Sequence, residues 1–349
     1  MINTIKISPI LLILLMSLVY SGCKSKDHNS AGSTSSIVRY EKLLFGLDTS
    51  ELKDQFEKLE LKYPGFSDIF FKNVVTLPGY ENKNSDFYRE LKVFITDTNN
   101  LKILNLVNTE FDDLSQTENR FQEIVSNLQK EYPEIQTPVL YTFVSIFAYQ
   151  GFIFSDQGKD GLALGLDMFL GDKFPYNAIG NNENIFANYM TRTYNKDHIL
   201  KKIVQLWLED RIFNKSGQQA IDHIIQNGKK LYLMKKIIPE IPDTVLFEYS
   251  AKQMKWLEEN EQEMWSYFIK NNFFYTTDEY KIKRLTTPGP NSQALGMPLN
   301  SPGQTGNYLG YRIIESYMAR NNETGIKELI GNSDSQKILE ASKFKPKIK

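Results

Sequence analysis

The single cysteine of this 349-residue chain is the side chain with the clearest chemistry. Cys23 follows an apolar run over residues 10–20 and two small residues, and Lys6 supplies positive charge ahead of the run. This order is typical of a secretory signal peptide, and the run is too short for an ordinary membrane-spanning helix. A cysteine directly after the cleavage site is the pattern of a bacterial lipobox, in which the thiol takes a diacylglycerol. We therefore predict a signal peptide over residues 1–22 and lipid attachment at Cys23.

The lipobox departs from the usual pattern at Tyr20, where leucine is more common three residues before the cysteine. An ordinary signal peptide with an unrelated cysteine, or a short membrane anchor, is the alternative. Because no cysteine follows Cys23, the mature chain has no disulfide, no thiolate metal site and no cysteine nucleophile in the oxidising envelope. We predict no cofactor besides the covalent lipid.

The remaining composition indicates one folded body behind a tether. Residues 24–36 contain Ser, Gly, Asn and charged side chains with almost no apolar ones, so we predict a lipidated flexible tether over residues 23–36. Residues 37–349 are enough chain for a single globular domain held by its core, and no second linker interrupts them. A formal net charge of -1 favours neither nucleic acid nor an anionic membrane surface as a partner.

Histidines and carboxylates give little indication of catalysis. His198 and His223 lie on two separate predicted helices, whereas a zinc site needs three or more convergent ligands. The sequence contains no HExxH, GxSxG, Walker A or complete dinucleotide-binding motif. Adjacent carboxylates such as Glu209 and Asp210 do not face each other on a helix, which favours a solvated surface. We therefore expect neither a metal nor a catalytic residue.

Three glycine-containing segments, at residues 164–176, 227–232 and 302–318, are more specific than core and surface require. Glycine allows a positive φ or a close approach of two backbones. The segments are therefore either structural corners or part of a surface that binds a partner. The candidate residues in them are Asp167, Gly171, Asn227, Gly228, Gly306, Tyr308, Gly310 and Tyr311.

A short β region is predicted in the middle of the chain. Residues rich in β-branched and aromatic side chains occur at 139–147, 151–154 and 162–166, with a turn signal at residues 158–161. We predict three short strands of a small antiparallel or mixed sheet.

Helical periodicity flanks these strands on both sides. Before them it covers residues 37–130, where Ser115 has the spacing of a capping box to a glutamate three residues later. After them it resumes, with one helix predicted over residues 252–270. Residues 286–306 form a loop rich in proline and glycine before a last clear helix over about 309–320. The predicted fold class is one helix-rich α+β body with a small sheet.

Together with the lipobox, these segments resemble the gliding-motility lipoprotein GldB family of Bacteroidota over most of the chain. The order and spacing of several landmarks carry this resemblance, since none of them is decisive alone. The landmarks are Tyr63-Pro64 with Phe66 and Phe70-Phe71, Tyr132-Pro133, residues 165–171, Gly228-Lys229 with Tyr232, Trp256 and Trp265, residues 306–318, and Ile338-Leu339 with residues 342–346.

The family in turn is similar to a group of predicted zinc metallopeptidases, which implies a zincin-like architecture. In those proteins one helix bears HExxH and a later Glu-Gly segment supplies the third ligand. Here Asn227 replaces the glutamate, and residues 203–207, which match the helix, contain no ligand. The resemblance therefore implies a peptidase-like scaffold without peptidase chemistry. We expect Ile203 and Trp207 to pack toward Asn227 and to fill the position of the missing metal.

The resemblance implies a non-enzymatic envelope component of gliding motility and its associated type IX secretion machinery. Its expected partners are other motility or secretion proteins, and it is expected on the periplasmic side of the outer membrane because no acidic run follows Cys23. Two further hypotheses stay open from the residues: a hydrolase that acts through carboxylates, and a glycan- or peptide-binding lipoprotein. A pocket of converging carboxylates favours the hydrolase, whereas an exposed patch near Gly306 favours partner binding.

Overall fold

The computed structural model describes residues 37–179, 186–213, 217–292, 296–298 and 300–346. The predicted signal peptide, the tether and Cys23 lie outside these residues. Within the described chain, no helix combines the length and the apolar character that are needed to cross a bilayer.

Four strands of the described chain form one mixed sheet. They are β1 (Val38–Arg39), β2 (Val139–Phe143), β3 (Gly151–Asp156) and β4 (Lys159–Gly165), in the spatial order β1-β2-β4-β3. Both β1 and β4 run parallel to β2, whereas β3 is antiparallel to β4. The three strands predicted from the sequence are present. The sequence did not reveal β1, because a strand of two residues is too short to show alternation.

The turn between β3 and β4 is tighter than predicted. Asp156 pairs with Lys159, so the loop contains only Gln157 and Gly158. Their φ angles are 51° and 79°, and two residues with positive φ are what a type I′ hairpin turn requires. The prediction of a turn at residues 158–161 is therefore wrong, because the last three of those residues belong to β4.

The side chains of the sheet alternate between two hydrophobic cores. In β2, Tyr141 and Phe143 join a cluster with the N-terminal helices, whereas Leu140 joins a larger cluster with the later helices. Ala163 and Leu162 divide in the same way in β4. The sheet thus separates the two cores, as the two-residue period of a strand dictates.

The N-terminal layer has an aromatic core. Its helices are α1 (Tyr40–Phe45), α2 (Leu52–Lys62), α3 (Pro64–Ile69), which continues into a π-helical turn over Phe70–Val74, and α4 (Ser85–Thr96). Phe66 stacks on Tyr141 of β2 with ring centroids 5.2 Å apart, which ties the layer to the sheet. The fully buried rings in this layer are Tyr40, Phe56, Phe66, Phe70, Phe71 and Phe87.

The second layer contains the later helices and the larger core. Trp207 lies in this core with no exposed surface. The layer confirms the helix-rich α+β class, while the zincin-like architecture stays a prediction. Its helices are α5 (Thr98–Glu110), α6 (Ser115–Glu131), α7 (Asn188–Thr191), α8 (Lys196–Arg211), α9 (Ala220–Ile237), α10 (Asp243–Leu246), α11 (Ala251–Glu259), α12 (Glu261–Lys270), α13 (Glu279–Thr286), α14 (Thr305–Arg320), α15 (Ile326–Gly331) and α16 (Ser335–Ser342).

Three helix boundaries differ from the predictions for physical reasons. Ser115 is the first residue of α6 and not its cap, because Asp113 accepts hydrogen bonds from the N–H and the hydroxyl of Ser115. The single helix predicted over the region of α11 and α12 is divided at Asn260. α14 begins at Thr305, directly after Gln304, whose φ of 51° turns the chain into the helix.

Candidate functional site

The predicted glycines lie where three helices approach each other closely. A Cβ atom on Gly228 of α9 would overlap the carbonyl group of Gly310 in α14. A Cβ atom on Gly310 would overlap the carbonyl group of Ile224, and one on Gly306 would lie 2.7 Å from the carbonyl oxygen of Leu285 in α13. The absence of side chains at these three positions therefore permits the crossing of α9, α13 and α14.

This placement corrects the predicted loop before the last helix. Gly306 and Gly310 lie inside α14, and neither has a positive φ. The sequence suggested a loop because glycine is a poor helix former. Their position favours the structural alternative over a surface that binds a partner.

Tyr308 and Tyr311 of α14 also face the interior. Tyr308 is 5% exposed and donates a hydrogen bond from its hydroxyl to Oε2 of Glu261, over 3.2 Å. Tyr311 is half-buried, with its ring centroid 5.1 Å from that of Phe247 and 6.3 Å from that of Tyr232. Both side chains pack α14 against neighbouring parts of the fold. They therefore do not form an exposed patch that a partner could recognise.

Asp167 is fully buried and holds a strained turn. Its Oδ2 accepts hydrogen bonds from the N–H of Ser145 (3.2 Å) and of Phe147 (2.6 Å). Ile146 and Phe147 both have positive φ, at 57° and 63°, which is costly for a β-branched and an aromatic residue. Desolvation raises the pKa of Asp167 to about 6, against the effect of these hydrogen bonds. Asp167 therefore has a buried structural position, which favours the structural alternative over a surface that binds a partner.

Gly171 is required for its backbone conformation and not for close packing. Its φ is 95°, a conformation that residues with a side chain rarely adopt, and its N–H donates to the carbonyl of Tyr194 at 2.9 Å. A Cβ atom there would meet nothing within 4 Å, so the constraint is on the backbone and not on packing.

Asn227 is the predicted site residue that faces open space. It borders a cavity of about 220 Å³ between α8, α9, α10 and the start of α14, which we call the Asn227 cavity. Its side-chain amide donates to Oδ1 of Asn307 at 2.7 Å. The Asn307 amide in turn donates to the carbonyl of Thr286 (3.0 Å) and to Oε1 of Gln304 (3.3 Å). The amide groups of this wall therefore satisfy one another.

The charged groups of the Asn227 cavity form a closed cluster. Glu248 accepts from Lys201 and lies 2.7 Å from the ammonium group of Lys202. Burial alone would raise the pKa of Glu248, but the two lysines outweigh it and hold the pKa well below its usual range. Lys201 also donates to Oε1 of Gln205 at 2.8 Å, while burial lowers its pKa. At neutral pH the carboxylate is held ionised and both cations are occupied.

The carboxylate on the outer side of the cavity is occupied as well. Glu209 accepts from the Gln205 amide and from the Lys230 ammonium group, each at 3.3 Å. A general acid or base needs a pKa near the working pH and a free path to a substrate proton. The pKa of Glu248 lies far below neutral pH, and Glu209 already accepts hydrogen bonds from two donors. The arrangement is suited to hydrogen bonding and not to proton transfer.

The expectation that this place is packed shut is wrong in part. Ile203 and Trp207 are buried as expected, at 5% and 0% exposure. However, Asn227 shares its cavity with Lys201, Gln205 and Glu209 of α8. These residues recur every four positions and so occupy one face of the helix, from which the buried positions 203 and 207 are turned away. The space beside Asn227 therefore stays open.

The histidines do not join the cavity. His198 is buried in the first turn of α8, and its Nδ1 lies 2.8 Å from Oδ1 of Asn195. Desolvation lowers the pKa of His198 to about 4, so the ring is neutral at pH 7. His223 lies in the first turn of α9 and does not border the Asn227 cavity. Among the described residues, no group of three or more His, Cys, Asp or Glu side chains is placed to hold a metal ion.

Sequence reasoning missed the residues that build the cavity. Lys201 and Lys202 resemble solvated helix residues, and nothing in the local sequence connects them to Glu248, which follows α10. The one available signal was the position of Lys201 among the apolar residues of α8, where a buried lysine requires a partner.

The model of one known family matches this chain. The family is described as gliding motility protein GldB, and the match covers residues 23–346. Among curated proteins and among solved structures, none is significantly similar. The similarity to zinc metallopeptidases thus has no support from these comparisons. Because the match covers nearly all of the chain, the chain belongs to the gliding motility protein GldB family.

Proposed function

We propose that this chain is a non-catalytic envelope lipoprotein that serves gliding motility and the associated type IX secretion machinery by binding other envelope proteins. Family membership supports the role in motility. The family match begins at Cys23, the residue that we predict to carry the lipid, on the periplasmic side of the outer membrane. No cofactor besides that lipid is part of the proposal.

The observation that carries the non-catalytic part is the closed polar network of the Asn227 cavity. Asn227, which the resemblance to metallopeptidases would place at a ligand position, donates from its amide to Asn307. Glu248 is neutralised by two lysines, so it neither releases nor accepts a proton near pH 7. A scaffold with its polar groups satisfied in this way binds without performing proton transfer.

The lipid anchor is tested with Cys23→Ser in cells that lack the native gene. We expect the variant protein to fold but to appear in the soluble fraction, because two or three acyl chains supply the anchor at about 0.8 kcal/mol per buried CH₂. Immunoblots of membrane and soluble fractions make the measurement. Firm membrane retention of the variant at the level of the wild type would contradict lipid attachment at this residue.

The role in motility is tested by deletion of the gene in a gliding host. We expect the deletion strain to stop spreading on agar, with any secretion defect in the same strain, and the wild-type gene to restore both. A deletion strain that glides normally contradicts the proposed function, whatever the protein binds.

The hydrolase hypothesis is the second candidate, and the open Asn227 cavity with Glu209 on its rim favours it. The test is the release of amine from peptide and cell-wall substrates by the purified protein, with Glu209→Gln as the matched variant. Turnover that disappears in this variant would establish the hydrolase. Equal background signals from both proteins would reject it and leave the binding function.

A further inference from the structure

A second and larger cleft also borders α8 and α9, through different residues of the two helices. Its volume is about 700 Å³, within the range of sites that hold small ligands or a few residues of peptide. We call it the Lys229 cleft. Trp207 and Arg211 of α8 and Lys229 of α9 border it, together with Tyr132 after α6. Residues 330–333, at the end of α15 and just after it, complete the wall.

Lys229 is a buried cation without a counter-ion in this cleft. Its side chain is 6% exposed and donates to the backbone carbonyl of Asn332. Of the other cations that border the cleft, Lys327 pairs with Glu134 at 2.8 Å and Arg211 pairs with Asp160. No carboxylate of the described residues forms a salt bridge with Lys229, and burial lowers its pKa to about 8. A positive charge taken out of water in this way favours an anion beside it.

Two further donors of the cleft are unsatisfied. Tyr132 and Trp207 are 7% and 0% exposed, and within the described chain neither the hydroxyl oxygen nor the indole nitrogen has a hydrogen-bond partner. Burial raises the pKa of Tyr132 to about 12, so its hydroxyl keeps its proton at neutral pH. Buried polar groups normally have partners, and an orphan donor therefore requires an explanation. Here the two residues that carry orphan donors, Tyr132 and Trp207, border the same cleft as the uncompensated ammonium group.

The apolar residues that line the cleft favour some kinds of anionic ligand over others. Ile135, Ile212, Phe213 and Ile330 border the cleft beside the donors. An inorganic anion gains nothing from such surfaces, and a highly hydroxylated anionic sugar buries little apolar area on them. The free carboxyl end of a peptide with apolar side chains fits both features, because its carboxylate meets the donors and its side chains meet the apolar wall.

We propose that the Lys229 cleft binds the free carboxylate end of an apolar peptide segment from a partner protein. Lys229 neutralises the carboxylate, and the donors of Tyr132 and Trp207 complete the site. This inference rests on the proposed binding function and gives it a location and a ligand class. The Asn227 cavity lacks this property, since its cations are already paired with Glu248 or Glu209.

The test is calorimetric titration of the purified full-length lipoprotein in detergent with the tetrapeptide Gly-Ala-Leu-Phe. The free acid and its C-terminal amide are compared, and we expect the amide to bind about 10-fold more weakly or not at all. Lys229→Met should reduce affinity for the free acid about 10-fold or more, whereas Lys229→Arg should retain part of it. The matched control is Lys235→Met on the same helix, which borders neither cavity and should bind as the wild type does.

Three outcomes overturn the inference: equal affinity for acid and amide, Lys229→Met binding that equals the wild type, or binding of an oligogalacturonate in preference to the peptide. If Lys229→Met fails to fold, the affinities of the wild-type protein for the free-acid peptide and for its amide still test the inference. These failures are distinct from that of the proposed function, because only a deletion strain that glides normally contradicts a role in motility.

Discussion

The two cavities beside α8 and α9 share helices but differ in how their charges are balanced. In the Asn227 cavity, Glu248 forms salt bridges with Lys201 and Lys202, and the side-chain amides hydrogen-bond to one another. In the Lys229 cleft, the ammonium group meets a backbone carbonyl and two neighbouring donors lack partners. The first arrangement is complete without a ligand and stabilises the fold. The polar groups of the Lys229 cleft all have partners only when a ligand with acceptor oxygens binds.

We predict that removal of the Glu248 carboxylate, which breaks the charged cluster of the Asn227 cavity, destabilises the protein more than the other substitutions considered below. Glu248→Gln leaves Lys201 buried without a counter-ion, and removal of one partner from a buried pair costs about 3–5 kcal/mol. Free energies of unfolding from urea titrations measure the loss. The control is Glu209→Gln, whose ion pair is partly exposed and should cost less than about 1 kcal/mol. Equal effects of the two variants would show that the cluster has no special stabilising role.

A second prediction concerns pH, through two buried groups outside the cavities. Asp167 has a folded pKa of about 6, above its ordinary value of 3.8, so it contributes stability at low pH that is lost as the pH rises through 6. His198 has a folded pKa of about 4, below 6.5, so its contribution is present above pH 6.5 and is lost as the pH falls through 4. Each shift corresponds to roughly 3 kcal/mol at 1.36 kcal/mol per pKa unit.

Matched variants separate the two groups. Relative to the wild type, Asp167→Asn should lose stability as the pH falls from 7 to 4, and His198→Gln should gain it. Unfolding free energies at several pH values in this window make the measurement. Identical pH profiles for the wild type and both variants would mean that neither group titrates with the shift that its burial implies.

Gly310→Ala tests the close crossing of α9 and α14. The new methyl group would overlap the carbonyl of Ile224, so α9 and α14 must move apart, at a cost of about 1–3 kcal/mol. Gly325→Ala is the control, since its Cβ meets nothing within 4 Å and its φ is -73°. Thermal unfolding compares the two. A Gly310 variant as stable as the control would restore a role for this glycine in partner binding.

The sequence predicted the parts of the fold that depend on local pattern. The strands at 139–143 and 151–156 are rich in β-branched and aromatic residues, and the strand at 159–165 contains a short apolar run. The long helix α6 has the 3.6-residue apolar period that burial on one face imposes. The positions of Gly228 and Gly310 depend on a contact between segments about 80 residues apart, and one sequence gives no sign of it. Gly306 was therefore predicted to lie in a loop although it belongs to a helix.

The candidate site was predictable only as one position. Asn227, a candidate from the glycine-containing segment 227–232, does border a cavity. The cluster around it joins Lys201 to Glu248, and the Lys229 cleft joins α8, α9 and α15 with the segment that follows α6. Each of these is a long-range juxtaposition of residues that look like ordinary surface or core residues in the sequence. Burial, which separates a solvated lysine from one that requires an anion, is a property of the folded chain.

The central claim is that motility depends on the Lys229 cleft and not on catalysis. The most direct measurement is gliding speed in a deletion strain that carries Lys229→Met, with Lys235→Met as the control and immunoblots of the membrane fraction for both. We predict that both proteins accumulate in the membrane at the level of the wild type, that Lys235→Met restores gliding, and that Lys229→Met does not. Full gliding of cells with Lys229→Met would contradict the claim.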